Sequence, residues 1–136
     1  MAGAGYLNVS DLQELSTANL RIVIDSKDMA GLMMESDIAV IAAGGTLWEL
    51  ISVGCAVLSY SRNAVQMRVV QMLASDRIVM DMGDTAQFNP QKIVTAVRNL
   101  TESCSAREEM AGRGRRLVDG LGASRVVEAM QQYGVL

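Results

Sequence analysis

Residues Ser36 to Ser61 constrain this chain most. An apolar run, Asp37-Ile38-Ala39-Val40-Ile41-Ala42-Ala43, meets the pair Gly44-Gly45 and then Thr46. An amphipathic segment, Leu47-Trp48-Glu49-Leu50-Ile51-Ser52-Val53-Gly54, leads into a second apolar run, Cys55-Ala56-Val57-Leu58-Ser59-Tyr60-Ser61. Short apolar runs on either side of a helical period are the pattern of strand, turn, helix and strand, and so of a parallel βαβ unit. The glycines leave the backbone of the turn open to a ligand and permit dihedrals that other residues resist. Thr46 stands where a helix should begin, able to cap it or to meet a phosphate beside the free N–H groups. Glu49 has two readings. With Thr46 it spells the capping box Thr-x-x-Glu, and as an acceptor-only fork it also matches the two vicinal hydroxyls of a ribose.

The same alternation continues on both sides. Ser10 reads as the cap of a short helix over Asp11 to Ser16, and Leu20-Arg21-Ile22-Val23-Ile24-Asp25 as a strand rich in β-branched residues. A helix is expected from about Asp28 to Glu35 with Met29, Leu32 and Met33 buried. After Ser61, a turn at Arg62-Asn63-Ala64 opens a helix through about Ala74, its face made by Val65, Val69, Met72 and Leu73. Arg77 to Met82 reads as the last strand, ended by Gly83. Pro90 at a first helical position starts a helix through about Thr101, with Ile93, Val94, Val97 and Leu100 as its stripe. Two more helices fit Ala106 to Val118 and Ser124 to Tyr133. The fold class expected is therefore α/β, a Rossmann-like three-layer α/β/α domain with a mostly parallel sheet of about four strands.

Composition narrows the function. The chain has 136 residues, enough for one domain, and a net charge of −3, which argues against a nucleic-acid binder. It has no histidine, which removes Ser-His-Asp and Cys-His catalysis and imidazole metal sites. Two cysteines, Cys55 and Cys104, match neither a metal spacing nor a disulfide scaffold. No apolar run reaches the roughly 20 residues of a membrane span, so no transmembrane segment and a cytoplasmic location are expected. Arg113, Arg115 and Arg116 read as a surface helix face paired with Glu108 and Glu109. Asp119 and Arg125 are placed to secure the turn between the last two helices.

The passages Asp28-Met29-Ala30-Gly31-Leu32-Met33, Ser36 to Val40, Gly44-Gly45-Thr46-Leu47-Trp48-Glu49-Leu50 and Val53-Gly54 resemble, in that order, the carboxy-terminal nucleotide-sugar-binding domain of GT-B proteins. Within that superfamily they are most similar to the pseudaminic-acid-pathway UDP-sugar hydrolases and the related spore-coat polysaccharide proteins. A more distant likeness is to the transferase that adds N-acetylglucosamine to lipid I. The stretch Leu117 to Val126 resembles the closing signature of the hydrolases, so the likeness runs from about Gly3 to Met130.

The resemblance implies that Gly44, Gly45 and Thr46 contact a diphosphate and Glu49 a uridine ribose. It also implies that the loop from Ser26 to Met29 lies against the uracil and that Gln66 faces the sugar, although Val65 replaces the asparagine that normally precedes that glutamine. Gly3 to Asn8 resembles the tail of the family's second strand, so the whole chain, 1–136, is expected to be a single truncated domain lacking the first βα elements.

The hydrolases' catalytic base lies in their amino-terminal half. No catalytic residue, cofactor or metal is therefore expected here, and catalysis is not expected from the chain alone. The function expected is a UDP-sugar-binding half-domain, with a compact four-stranded sheet whose edge self-associates, that works as a homodimer or with a separate amino-terminal GT-B-type partner. The alternatives are a homodimeric, non-catalytic remnant that acts in protein association through an exposed sheet edge, and a small stand-alone UDP-sugar hydrolase.

Overall fold

A computed structural model describes residues 8–134. The chain divides into two compact units, residues 1–32 and 33–136. In the first, α1 spans Val9–Glu14. It begins two residues before the expected start, and Ser10 does not cap it: the N-cap is Asn8, which makes no side-chain hydrogen bond, and the Ser10 hydroxyl donates to Asp11 at 3.3 Å. The strand expected over 20–25 is absent from the described pairings. Leu20 folds back on Thr17 in an isolated antiparallel bridge, exchanging N–H···O bonds of 3.1 and 3.2 Å, and the Ser16 hydroxyl also donates to the Leu20 carbonyl. Asp25 adopts φ 44°, which ends any extended run there. The β-branched triplet 22–24 has strand propensity, and Ile24 is itself in a single bridge, but no continuous ladder runs through 20–25 among the described residues.

Helix α2, Met29–Met34, follows. The Asp28 carboxylate accepts the N–H of Gly31 at 2.8 Å, as an N-cap does, and the Asp28 N–H in turn donates to Ser26 Oγ at 3.1 Å. A side chain at Gly31 would collide with the Asp28 carboxylate, so the cap requires that glycine.

The second unit holds the sheet. Strands β1 (Ile38–Ala42), β2 (Ala56–Ser61) and β3 (Val79–Asp84) are parallel in the order β1-β2-β3. Among the described residues three strands stand where about four were expected, and the α/β, Rossmann-like class holds. Ile38 pairs with Ala56 and Ala42 with Tyr60; β2 and β3 run from Val57↔Val79 to Ser61↔Asp84 with a bulge after Ser59. Gly83 takes φ 95° at this irregularity, so it lies inside β3 and does not end it.

Each connection is a helical crossover: α3 (Gly45–Val53) joins β1 to β2, and α4 (Ala64–Ser75) joins β2 to β3. Right-handed crossovers in a sequential sheet put both helices on one face. A single 3₁₀ turn, residues 85–87, leads to α5 (Pro90–Glu102), α6 (Cys104–Leu117) and α7 (Gly122–Gln132). Ala56, Leu58 and Tyr60 of β2 meet Met82, Ala96, Leu100 and Met110 in one core, with Ile38, Ile93 and Val97 at its margin. Val57, Ser59 and Ser61 alternate to the opposite face, where Leu47, Ile51, Val70 and Leu73 are buried.

Two helix faces differ from expectation. In α4, Val70 and Leu73 are buried whereas Val65 and Met72 are exposed, because Gln66, half-buried, holds the first-turn position on the inner face. In α5, Ala96 and Leu100 are buried, Ile93 and Val97 partly so, and Val94 faces outward.

Helix α6 packs on both α5 and α3. The close approach to α3 depends on Gly114, where an added Cβ would stand 3.0 Å from the Ile51 side chain and 3.1 Å from its carbonyl oxygen. As expected, Arg113 pairs with Glu109 along α6 at 3.1 Å. Asp119 and Arg125 form a two-bond pair across the α6 to α7 turn, one arm 2.9 Å long, and the Leu121 N–H donates to the same carboxylate. The stretch Gly3 to Asn8, expected as a strand tail, lies, but for Asn8, outside the described residues; Asn8 itself is the N-cap of α1.

Candidate functional site

Because all three strands are parallel, their carboxyl ends share one side of the sheet, and α3 and α4 begin there. In an open α/β sheet this is the side on which ligands bind. The two helix starts differ. At α4, Asn63 is the N-cap and accepts the Gln66 N–H at 3.0 Å, while Gln66 Oε1 accepts the Arg62 N–H at 2.9 Å. The arrangement resembles a capping box displaced by one residue, because the glutamine oxygen takes the N–H before the cap and not that of Asn63 itself. Gln66, read by resemblance as facing a sugar, therefore has its side-chain oxygen engaged by its own backbone.

At α3 the N-cap is Gly44, which makes no side-chain bond. The Leu47 N–H turns back to the Gly44 carbonyl at 3.2 Å, and the N–H groups of Gly45 and Thr46 precede it in the first turn, where no intrahelical acceptor exists. Thr46 is thus the second residue of the helix and not its cap. Glu49 is in the second turn, too far along to close a box, so the capping reading of Thr46 and Glu49 is corrected. The helix takes in one glycine more than the sequence pattern suggested.

The glycines are also justified differently. Gly44 is extended, at φ −168°, which any residue can adopt, and a Cβ on Gly45 would meet nothing within 4 Å. Neither strain nor internal packing demands them; both are exposed, with open space above. Glu49 is exposed, and no hydrogen bond or ion pair of its carboxylate is found among the described residues. Trp48, one position earlier, is 38% exposed, so it lies at a rim and not within the core.

The structure therefore brings Gly44, Gly45 and Thr46 to the carboxyl ends of the strands, Glu49 one turn along α3, and Gln66 to the start of α4. Ser26 and Met29 belong to the first unit. Ser26 is half-buried and Met29 opens α2.

Sequence reasoning passed over Ser61, the last residue of β2, which is 1% exposed and has a hydroxyl without a hydrogen-bond partner. The available signal was the spacing of Ser59 and Ser61 in a run otherwise apolar. Elsewhere, burial first and the nearby Asp37 charge second push the Cys55 thiol up to about 11. Among the described residues, no cluster of His, Cys, Asp and Glu could hold a metal ion, and no helix is long and apolar enough to cross a membrane.

Fold and site together define a Rossmann-like α/β protein with an open, glycine-lined helix N-terminus at the carboxyl edge of its sheet. The chain is similar to the spore coat polysaccharide biosynthesis protein SpsG of Bacillus subtilis (strain 168), with 29% identity over 111 residues. The match covers 82% of this chain and 33% of that protein, so the chain spans about a third of the relative's length. This supports a distant relationship. No family model matches the chain, and no solved structure matches it significantly.

Proposed function

We propose that the chain is the UDP-sugar-binding part of a two-part nucleotide-sugar enzyme, a glycosyltransferase or a nucleotide-sugar hydrolase of the GT-B kind. The observation that carries this reading is the uncapped start of α3. Two exposed glycines and the free N–H groups of Gly45 and Thr46 offer a helix dipole and donors to a diphosphate. The Glu49 carboxylate, exposed one turn along, supplies two acceptors for the hydroxyls of a ribose. The similarity to a polysaccharide biosynthesis protein supports the same substrate class. Gln66 keeps its amide NH₂ for the sugar, its oxygen being held by Arg62.

In this proposal the residues that activate water or an acceptor come from a second polypeptide or domain, as the relative's greater length allows. Calorimetry with UDP and UDP-N-acetylglucosamine tests it. Binding of both is expected, and it should be weakened by Glu49→Ala. The absence of heat and of any thermal shift at millimolar ligand would remove the reading.

A second reading, a self-associating remnant without catalysis, is favoured by one feature. Strand β1, outermost in the described sheet, carries only apolar residues and no charge of its own to oppose pairing. It requires association that no nucleotide alters.

A further inference from the structure

Two buried hydroxyls, those of Tyr60 and Ser61, have no hydrogen-bond partner among the described residues. Burying such a group unpaired is unfavourable, so each requires an explanation. Alternation along β2 separates them. Tyr60 lies in the α5 and α6 core with its ring 5.4 Å from Phe88. Ser61 points to the face of α3 and α4, at the last position of the strand.

Both helices on that face begin at the level of Ser61. Ala43 donates its N–H to the Tyr60 carbonyl at 2.7 Å, which fixes the Gly44-Gly45 turn beside the end of β2. Helix α4 starts three residues after Ser61, and Asn63 and Gln66 close its N-terminus. Helix α3 has no such closure. Beside Ser61, therefore, one helix start is satisfied and the other is open.

We infer that Ser61 belongs to the anion seat of α3, its hydroxyl joining the N–H groups of Gly45 and Thr46 in holding a phosphoryl oxygen of the bound diphosphate. This rests on the reading of the site as a UDP-sugar cradle and adds a residue to it. The hydroxyl is covered in the free chain, and it reaches the ligand by rotation between staggered χ1 wells. Gly44 and Gly45 present no side chain against a phosphate lying over it. A charged phosphoryl group gains from this donor, whereas a nucleoside without phosphate does not.

The test is calorimetry with UDP and with uridine on the intact chain, on Ser61→Ala and on Ser61→Cys, with the melting temperature of each. Ser61→Ala should weaken UDP binding by about tenfold or more, the size of one hydrogen bond to a charged group, and leave uridine binding unchanged. Ser61→Cys, a weak donor of similar shape, should fall between, and it serves for the comparison if the alanine variant does not fold. Ser61→Ala should melt no lower than the parent, because the hydroxyl removed had no partner. A folded variant with undiminished UDP affinity would overturn the inference, and lower melting with normal affinity would make the hydroxyl structural. If the parent binds UDP and the variants bind it equally, only this inference fails. If the parent binds neither UDP nor a UDP-sugar, the cradle reading fails and takes the inference with it.

Discussion

Glu49 shows how far a residue's role depends on where its helix starts. The sequence pattern gave it a cap to close, but the helix begins at Gly45 and the carboxylate is exposed without a local partner. Glu49→Ala should therefore change stability by no more than about 0.5 kcal/mol in chemical denaturation, as exposed substitutions without a structural partner do. Its effect should appear in ligand affinity instead; a loss of about 1 kcal/mol would restore the capping reading. The two cysteines make a second contrast. Cys55 is buried with its thiol pushed up to about 11, and Cys104 is exposed. The thiolate is the reactive form, so a disulfide reagent at pH 8 should titrate one thiol in the folded chain and two in denaturant. Rapid reaction of both in the folded chain would contradict the packing around Cys55. The sequence identified both cysteines as unpaired, but their difference in burial needed the fold.

Among the elements, the strand-turn-helix-strand at 36–61 was legible because apolar runs, a glycine pair and a 3.6 period agree with one another. The segment 20–25 was legible only in part: among the described residues it shows single bridges at Leu20 and Ile24 and no strand. The outward face of α4 was misjudged because Val65 and Met72 look like core, whereas Gln66, bound to Arg62, holds the inward position. The junction of α3 and α6 could not be read at all, since a glycine needed for close approach looks like any other. Gly114→Ala should cost about 1–3 kcal/mol in denaturant titration, the usual cost of an overpacked contact, because both Ile51 Cγ2 and its backbone carbonyl face the new methyl. The α6 to α7 turn makes a pH prediction. Arg125, donating to the Asp119 carboxylate, holds it at about 2 against an ordinary 3.8. A carboxylate whose folded value is depressed contributes stability above its unfolded value and loses it as pH falls through the folded one. Acid titration of the folded chain should show this contribution disappearing between about pH 4 and pH 2 and absent in Asp119→Asn; an unchanged acid limb in that variant would deny the pair a role.

For the whole molecule, the outer strands of the sheet determine what the chain can assemble with. A sheet edge presents unpaired N–H and C=O groups, and natural edges are blunted by charge, bulges or covering side chains. The β3 edge has all three: Asp81 and Asp84 lie on it, the strand is bulged at Gly83, and Lys92 donates to the Asp81 carbonyl at 3.3 Å. Among the described residues of its own unit, β1 has neither a charge nor a bulge. It reads Ile38-Ala39-Val40-Ile41-Ala42, and Val40 is 42% exposed. If self-association occurs, this asymmetry assigns it to β1. The parent chain should then form a dimer in sedimentation or light scattering at high concentration. Val40→Lys, tolerated at a partly exposed position, should return it to a monomer without lowering the melting temperature, since an edge lysine opposes pairing by its charge and desolvation. A control, Val94→Lys on the outward face of α5, should leave the dimer intact. A strictly monomeric parent would remove homotypic pairing through β1; a dimer that survives Val40→Lys would place the contact elsewhere on the chain.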